Sequence, residues 1–240
     1  MEQIYTIPIN EVFDTVTAEG GPCLCPLCLL EGRLDESETD LILGASMMEP
    51  DIRIKTNEQG FCRTHYTKML GMKNRLGLAL MLESHLDEVK RRFKPAPLSA
   101  LFGKKQKRSM DTMGAMGSSC YICGKVRFHM TRSYLNLMEM YAKEEDFRRK
   151  YESAPLFCIP HTLALCEEAE KSFTGKSLDA FREVTLSVAR SYMDSLRDDV
   201  SHFCKKFDYR YEDEPWGNAK DAPVRAAAFL TGASGGEKFK

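Results

Sequence analysis

At 240 residues, with 29% charged residues and a net charge of −1, the chain can form one large domain or two small ones. That balance excludes a global field favouring nucleic acid or acidic membranes. No apolar run approaches the roughly 18 residues that a membrane helix requires.

The N-terminal stretch MEQIYTIPINEVFD carries an early acid and no apolar h-region, so no signal peptide is expected and a cytoplasmic setting is predicted. Within it, IYTIPI is β-prone and contains a proline, and it predicts a short extended lead-in. From Cys25 the period becomes helical: Leu30, Leu34, Leu41, Ala45 and Met48 share a stripe, with Pro50 as the stop. After GFCRTH, the residues Met69, Met72, Leu76, Ala79, Leu82, Leu86, Val89 and Phe93 form another stripe. A continuous helix over 65–93 would be roughly 40 Å long.

Residues 94–119 are rich in Pro, Gly and Ser and predict a linker. Beyond CYIC, the residues Val126, Met130, Tyr134, Leu137 and Tyr141 form a helical stripe, and a short charged helix is predicted over 144–151. After FCIPH comes a long amphipathic helix carrying Phe181, Val184, Val188, Tyr192, Leu196, Val200, Phe203 and Phe207. A short helix VRAAAFL follows, with Asp221 as N-cap and Gly232 as C′, and Trp216 reads as a docking anchor for this segment. The fold class is therefore all-α, in two pseudo-repeated helical units with long amphipathic helices. The predicted organisation is a first metal-binding repeat (1–93), a basic linker (94–119), a second repeat (120–210), a C-terminal docking segment (211–232) and a disordered tail (233–240).

The repeat rests on four short motifs. CPLC (Cys25, Cys28) precedes FCRTH (Cys62, His65), and CYIC (Cys120, Cys123) precedes FCIPH (Cys158, His161). The gap from Cys28 to Cys62 holds 33 residues, and that from Cys123 to Cys158 holds 34, so the order and spacing recur together. Cys-x2-Cys lets one turn present two sulfurs to one ion, and Cys-x2-His does the same with a sulfur and a nitrogen. In a reducing compartment, nine cysteines point to metal ligation or buried thiols rather than to a disulfide framework.

Read within each copy, the motifs make two Cys₃His sites: Cys25, Cys28, Cys62 and His65, then Cys120, Cys123, Cys158 and His161. Zn²⁺, two per chain, is the expected ion. An iron–sulfur cluster is the alternative. A redox dithiol is disfavoured because the strand-helix-strand setting of such motifs is missing. Read blandly, the cysteines would be small buried hydrophobes, but two complete copies with matching spacing argue against that.

The remaining candidates have plainer readings. Cys23 is a free thiol or a spare ligand beside Cys25, while Cys166 and Cys204 fall at apolar spacing and read as core. His85, His129 and His202 lack partners at metal spacing. Lys90, Arg91, Arg92, Lys94, Lys104, Lys105, Lys107 and Arg108 can contact phosphates, but without aromatic interleaving they read first as a solvated linker. No glycine-rich phosphate loop, nucleophile elbow or Ser-His-Asp order is present in the sequence.

The double layout of CPLC to GFCRTH and CYIC to FCIPH, with the tail FDYRYEDEPWGNAKDA, resembles a family of uncharacterised bacterial proteins classed as a domain of unknown function. The resemblance spans roughly residues 3–230 and departs at Leu156-Phe157, where the second unit lacks the glycine that the first has at Gly60. It implies metal binding by the eight named residues and no particular activity. The expected function is a non-enzymatic interaction or regulatory module with protein partners. Nucleic-acid binding through the basic linker and a thiol- or metal-based redox sensor are the alternatives.

Overall fold

The computed structural model describes residues 2–21, 23–92 and 119–233. Among these residues the regular structure is helical, with no strands, and no helix is long and apolar enough to cross a membrane. Compactness divides the chain into one unit of residues 1–33 and 130–240 and a second unit of residues 34–129. The second is thus inserted, in sequence, into the first, and neither unit coincides with one copy of the repeat. The divisions fall within two helices, α2 (Pro26–Leu43) and α6 (Tyr121–Lys143).

The discontinuous unit begins with α1 (Gln3–Thr17), where an extended lead-in was expected. Tyr5, Ile9, Val12, Phe13 and Val16 are all buried and recur at helical spacing, so burial of that face outweighs the β propensity of the individual residues. Pro8 lies inside the helix and removes the bond to the carbonyl of Ile4. Ile4 is 73% exposed, which leaves that end of the helix open to water.

The same unit contains α7 (Glu145–Glu152), α8 (Ile159–Ser172), the 30-residue α9 (Lys176–Lys205) and α10 (Ala222–Thr231). Its centre is aromatic. Tyr151 stacks on Phe13 at 5.9 Å and lies 4.8 Å from Phe157 and 5.3 Å from Phe181, and Phe13 meets Phe147 edge-on at 5.1 Å. All five rings are buried, and each contributes on the order of 1.5–3 kcal/mol by leaving water. The Tyr151 hydroxyl keeps a partner in Thr185 Oγ1 at 2.7 Å. Gly232 ends α10 as its C-cap, with a positive φ of 83° but a ψ of 148° outside the left-handed helical conformation expected of a C′ glycine. Asp221 makes no cap bond, and its carboxylate instead accepts from Arg225. Trp216 packs on Phe203 at 5.8 Å, with Lys206 over its ring.

The continuous unit contains a 3-10 turn (Ala45–Met48), α3 (Pro50–Gln59), α4 (Arg63–Gly71) and α5 (Arg75–Arg92). Pro50 opens a helix here as well as closing the preceding stretch, since proline suits a first turn. The single helix expected over 65–93 is broken after Gly71. Asn74 starts α5 anew: its Oδ1 accepts the Gly77 N–H at 2.9 Å, and its Nδ2 donates to the Leu43 carbonyl at 2.5 Å. The buried face is Leu78 and Met81 rather than Leu76 and Leu86, which are 72% and 62% exposed. Leu41 and Met48 are likewise exposed, and Ile42 and Leu43 are buried in their place.

Cys204, read as core, is exposed, and Cys166 is half-buried. Lys90, Arg91 and Arg92 close α5, where positive charge suits the helix C-terminus, and Glu88 pairs with both arginines. Lys94, Lys104, Lys105, Lys107 and Arg108, the linker except Ser119, and the tail beyond Ala233 lie outside the described residues.

Candidate metal centres

All four motifs are built the same way, as helix starts. The carbonyls of Cys25, Cys62, Cys120 and Cys158 accept the amide four residues on, from Leu29, Tyr66, Gly124 and Thr162 at 2.8–3.1 Å. The first residue of each motif therefore caps α2, α4, α6 or α8, and the second ligand falls at the third helical position. Side chains at these two positions meet over the helix end, the geometry that a capping box uses. The partial positive charge of each helix start also favours thiolate.

The motifs assemble in nested order. Cys25, Cys28, Cys158 and His161 form site A, and Cys62, His65, Cys120 and Cys123 form site B. All eight expected ligands come together, but the pairing within each copy is corrected: each Cys-x-x-Cys meets the Cys-x-x-His of the other copy. In site B the Tyr121 N–H donates to the Gly60 carbonyl at 3.0 Å and the Ser119 hydroxyl to the Gln59 carbonyl at 2.7 Å, tying the start of α6 to the approach to α4. In site A, Phe157 joins the aromatic cluster and seats the start of α8 beside α1.

Within each site the four donor atoms lie within 4.8 Å of one another. In site A the Cys28 and Cys158 sulfurs are 3.5 Å apart, and His161 Nδ1 is 3.6, 3.3 and 3.1 Å from the sulfurs of Cys25, Cys28 and Cys158. In site B the Cys62 and Cys123 sulfurs are 3.8 Å apart, and His65 Nδ1 is 3.1, 3.3 and 3.4 Å from the sulfurs of Cys62, Cys120 and Cys123. A tetrahedron with metal–sulfur bonds of about 2.3 Å and metal–nitrogen bonds of about 2.0 Å has edges of about 3.8 and 3.5 Å. Both clusters have that size, and both could hold a metal ion. A disulfide needs about 2.05 Å between sulfurs, and all nine cysteines are free thiols.

Each imidazole turns its other nitrogen to a carboxylate, the arrangement that orients a metal-binding histidine. His65 Nε2 is 2.6 Å from Asp35 Oδ1, and Lys68 grips the second oxygen of Asp35. His161 Nε2 is 3.5 Å from Glu31 Oε2. Neither carboxylate was found in the sequence. They stand four residues apart in α2, but no local pattern ties either to its histidine.

The charges show why these cages suit a cation. Burial pulls the His65 imidazole down, but hydrogen bonds with Asp35, Cys120 and Cys62 raise it to about 10. Burial likewise opposes the charge on His161, and Cys158 and Cys25 raise it to about 10. Burial works against the Cys120 thiolate, yet His65 holds it down at about 6, while burial and the charge of Cys120 push Cys123 up. Each cage therefore collects positive charge against its sulfurs, and a divalent ion would supply that charge at all four donors together.

The two sites differ in cover. At site A, Cys25, Cys28, Cys158 and His161 are all at most 5% exposed, and the Ala233 N–H at the end of α10 donates to Cys28 Sγ at 3.4 Å. At site B, Cys120 and His65 are buried and Cys62 and Cys123 are half-buried. His85, His129 and His202 belong to neither cluster. His85 Nδ1 contacts the Asn57 carbonyl at 2.7 Å, His129 faces Glu38, and His202 Nε2 contacts the Pro215 carbonyl at 2.9 Å.

No curated protein and no solved structure matches the chain. A family model described as a family of unknown function (DUF6062) matches residues 1–237. The chain, with its paired clusters, belongs to that family.

Proposed function

We propose that the protein is a non-enzymatic helical module held in shape by two structural zinc ions, which presents its helices to protein partners. The observation that carries this reading is the pair of Cys₃His cages, each of tetrahedral size. Four protein ligands fill a zinc tetrahedron and leave no position for water or substrate, so the ion serves structure rather than turnover. Four donors within 4.8 Å also suit one ion better than an iron–sulfur cluster, whose ligands sit on separate irons.

Duplication supports the same reading. Two copies of one device, each giving its Cys-x-x-Cys to one cage and its Cys-x-x-His to the other, make a scaffold that closes only when both copies fold. The test is elemental analysis of protein purified reduced, without chelator or oxygen. Two zinc ions per chain are expected. One or none, iron in place of zinc, or steady turnover of a substrate that disappears in His65→Ala would overturn the reading.

A further inference from the structure

The two cages have the same ligands and unequal access, and this difference assigns them different chemistry. Site A is sealed on two sides. Phe157, beside Cys158, is fully buried among Phe13 and Tyr151. The end of α10 lies over Cys28 through the Ala233 amide, and that N–H···S bond also draws charge from the sulfur and makes it a poorer nucleophile. At site B, Phe61 is only half-buried and packs edge-on against Tyr66 at 5.5 Å. Two of its three cysteines, Cys62 and Cys123, are half-buried where all three of site A are buried, and their sulfurs lie 3.8 Å apart.

Building on the two-metal reading above, we propose that Cys62 and Cys123 form a peroxide-oxidisable dithiol, whose coupling to a disulfide releases the metal of site B while site A keeps its own. Sulfur–sulfur reach does not separate the sites, because Cys28 and Cys158 are closer still at 3.5 Å. Access separates them, since a peroxide must touch a sulfur before anything else can follow.

The chemistry balances with hydrogen peroxide as the oxidant. One thiolate attacks a peroxide oxygen and breaks the O–O bond, giving a sulfenic acid and hydroxide. The second thiolate attacks that sulfur and expels its oxygen as a second hydroxide. Two protons from solvent convert both hydroxides to water, and the two electrons lost by the sulfurs are those gained by the peroxide oxygens. The sulfurs close from 3.8 Å to about 2.05 Å. Only Cys120 and His65 then remain as ligands, too few to retain a divalent ion.

The experiment treats the full-length, metal-loaded, reduced protein with hydrogen peroxide. Released zinc is followed with a chromophoric chelator, and thiols and disulfides are mapped by differential alkylation and mass spectrometry. One equivalent of zinc should leave first, together with a Cys62–Cys123 disulfide, while Cys25, Cys28 and Cys158 stay reduced. Reduction and added zinc should restore the starting state. Cys23→Ser should release zinc unchanged, because Cys23 is exposed but belongs to neither cage.

Simultaneous release from both sites, earlier oxidation at site A, or consumption of Cys23 and Cys204 alone with both metals retained would overturn the proposal. Protein that carries no metal before peroxide is added would overturn the structural-zinc reading instead. The same map would then still read the dithiol: Cys62–Cys123 coupling ahead of the site A thiols supports it, and any other order overturns it.

Discussion

Cys28 and Cys158 are 130 positions apart in the chain, and their sulfurs are 3.5 Å apart. Cys62 and Cys123, 61 positions apart, repeat the relationship at 3.8 Å inside that interval. The cages are nested, and this makes the pairing testable by counting metal. Cys28→Ser combined with Cys62→Ser disables both cages and should leave no metal bound. Cys28→Ser combined with Cys158→Ser disables one cage and should leave one ion. Pairing within each copy requires the opposite counts, so elemental analysis of the two double variants decides between the arrangements.

An ion held in each cage would also close a long loop. Fixing the ends of loops of this size removes on the order of 4–5 kcal/mol of unfolded-chain entropy, and structural zinc is worth on the order of 10 kcal/mol at neutral pH. Strong chelation should therefore abolish most helicity cooperatively, as followed by circular dichroism. Cys158→Ser and Cys62→Ser should lower the melting temperature far more than Cys204→Ser, an exposed change expected within about 0.5 kcal/mol of neutral. Cys166→Ser, half-buried and outside both cages, should fall near the small end. Equal losses from all four substitutions would argue that neither cage holds the fold.

The eight cage residues were legible in the sequence because each pair is local: an N-cap and the third helical residue meet whatever the rest of the chain does. Their partnership was not legible, because a device written twice at gaps of 33 and 34 residues satisfies either pairing, and only long-range packing chooses. Phe157 in the aromatic cluster and Tyr121 on the Gly60 carbonyl make that choice, and neither contact has a local signature. The same limit explains α5. Its sequence carries two apolar stripes, and periodicity cannot say that Leu78 and Met81 are covered while Leu76 and Leu86 are not. Other departures were readable. Tyr5, Ile9, Val12, Phe13 and Val16 carry a helical period through Pro8, and Gly71 with Asn74 is an ordinary stop and restart.

The outer carboxylates should differ in effect. Asp35 is 2.6 Å from His65 Nε2 and is itself held by Lys68; burial works against its charge, but those two partners keep its carboxyl below the usual carboxylate range. Glu31 stands 3.5 Å from His161 Nε2 and is half-exposed. Asp35→Asn should weaken metal binding at site B by roughly 10–100-fold, the usual cost of losing such a partner. Glu31→Gln should weaken site A less. Competition against a fluorescent chelator reads both affinities, and a larger effect from Glu31→Gln would show that the shorter contact is not the stronger constraint.

Gly60 stands directly before the Phe61-Cys62 approach to site B and joins it to Tyr121 through its carbonyl. Its φ of 62° and ψ of −158° lie in a region essentially reserved for glycine. A Cβ there would also fall 2.8 Å from His85 Nε2, and the ring cannot simply swing away without breaking its 2.7 Å contact with the Asn57 carbonyl. Among the described residues no non-glycine adopts positive φ, so the approach to Cys158 through Leu156 and Phe157 reaches its helix start without this strain. Gly60→Ala should therefore cost on the order of 1–3 kcal/mol from the backbone alone. Because the Gly60 carbonyl accepts the Tyr121 amide beside Cys120, it should also lower metal affinity at site B and leave site A unchanged. Adding His85→Ala removes the steric clash but not the backbone strain, so the double variant should recover only part of the loss. Denaturant titration and metal competition measure both quantities. Full recovery in the double variant would place the whole cost on the ring, and no loss at all in Gly60→Ala would show that the turn can reach its helix start by another path.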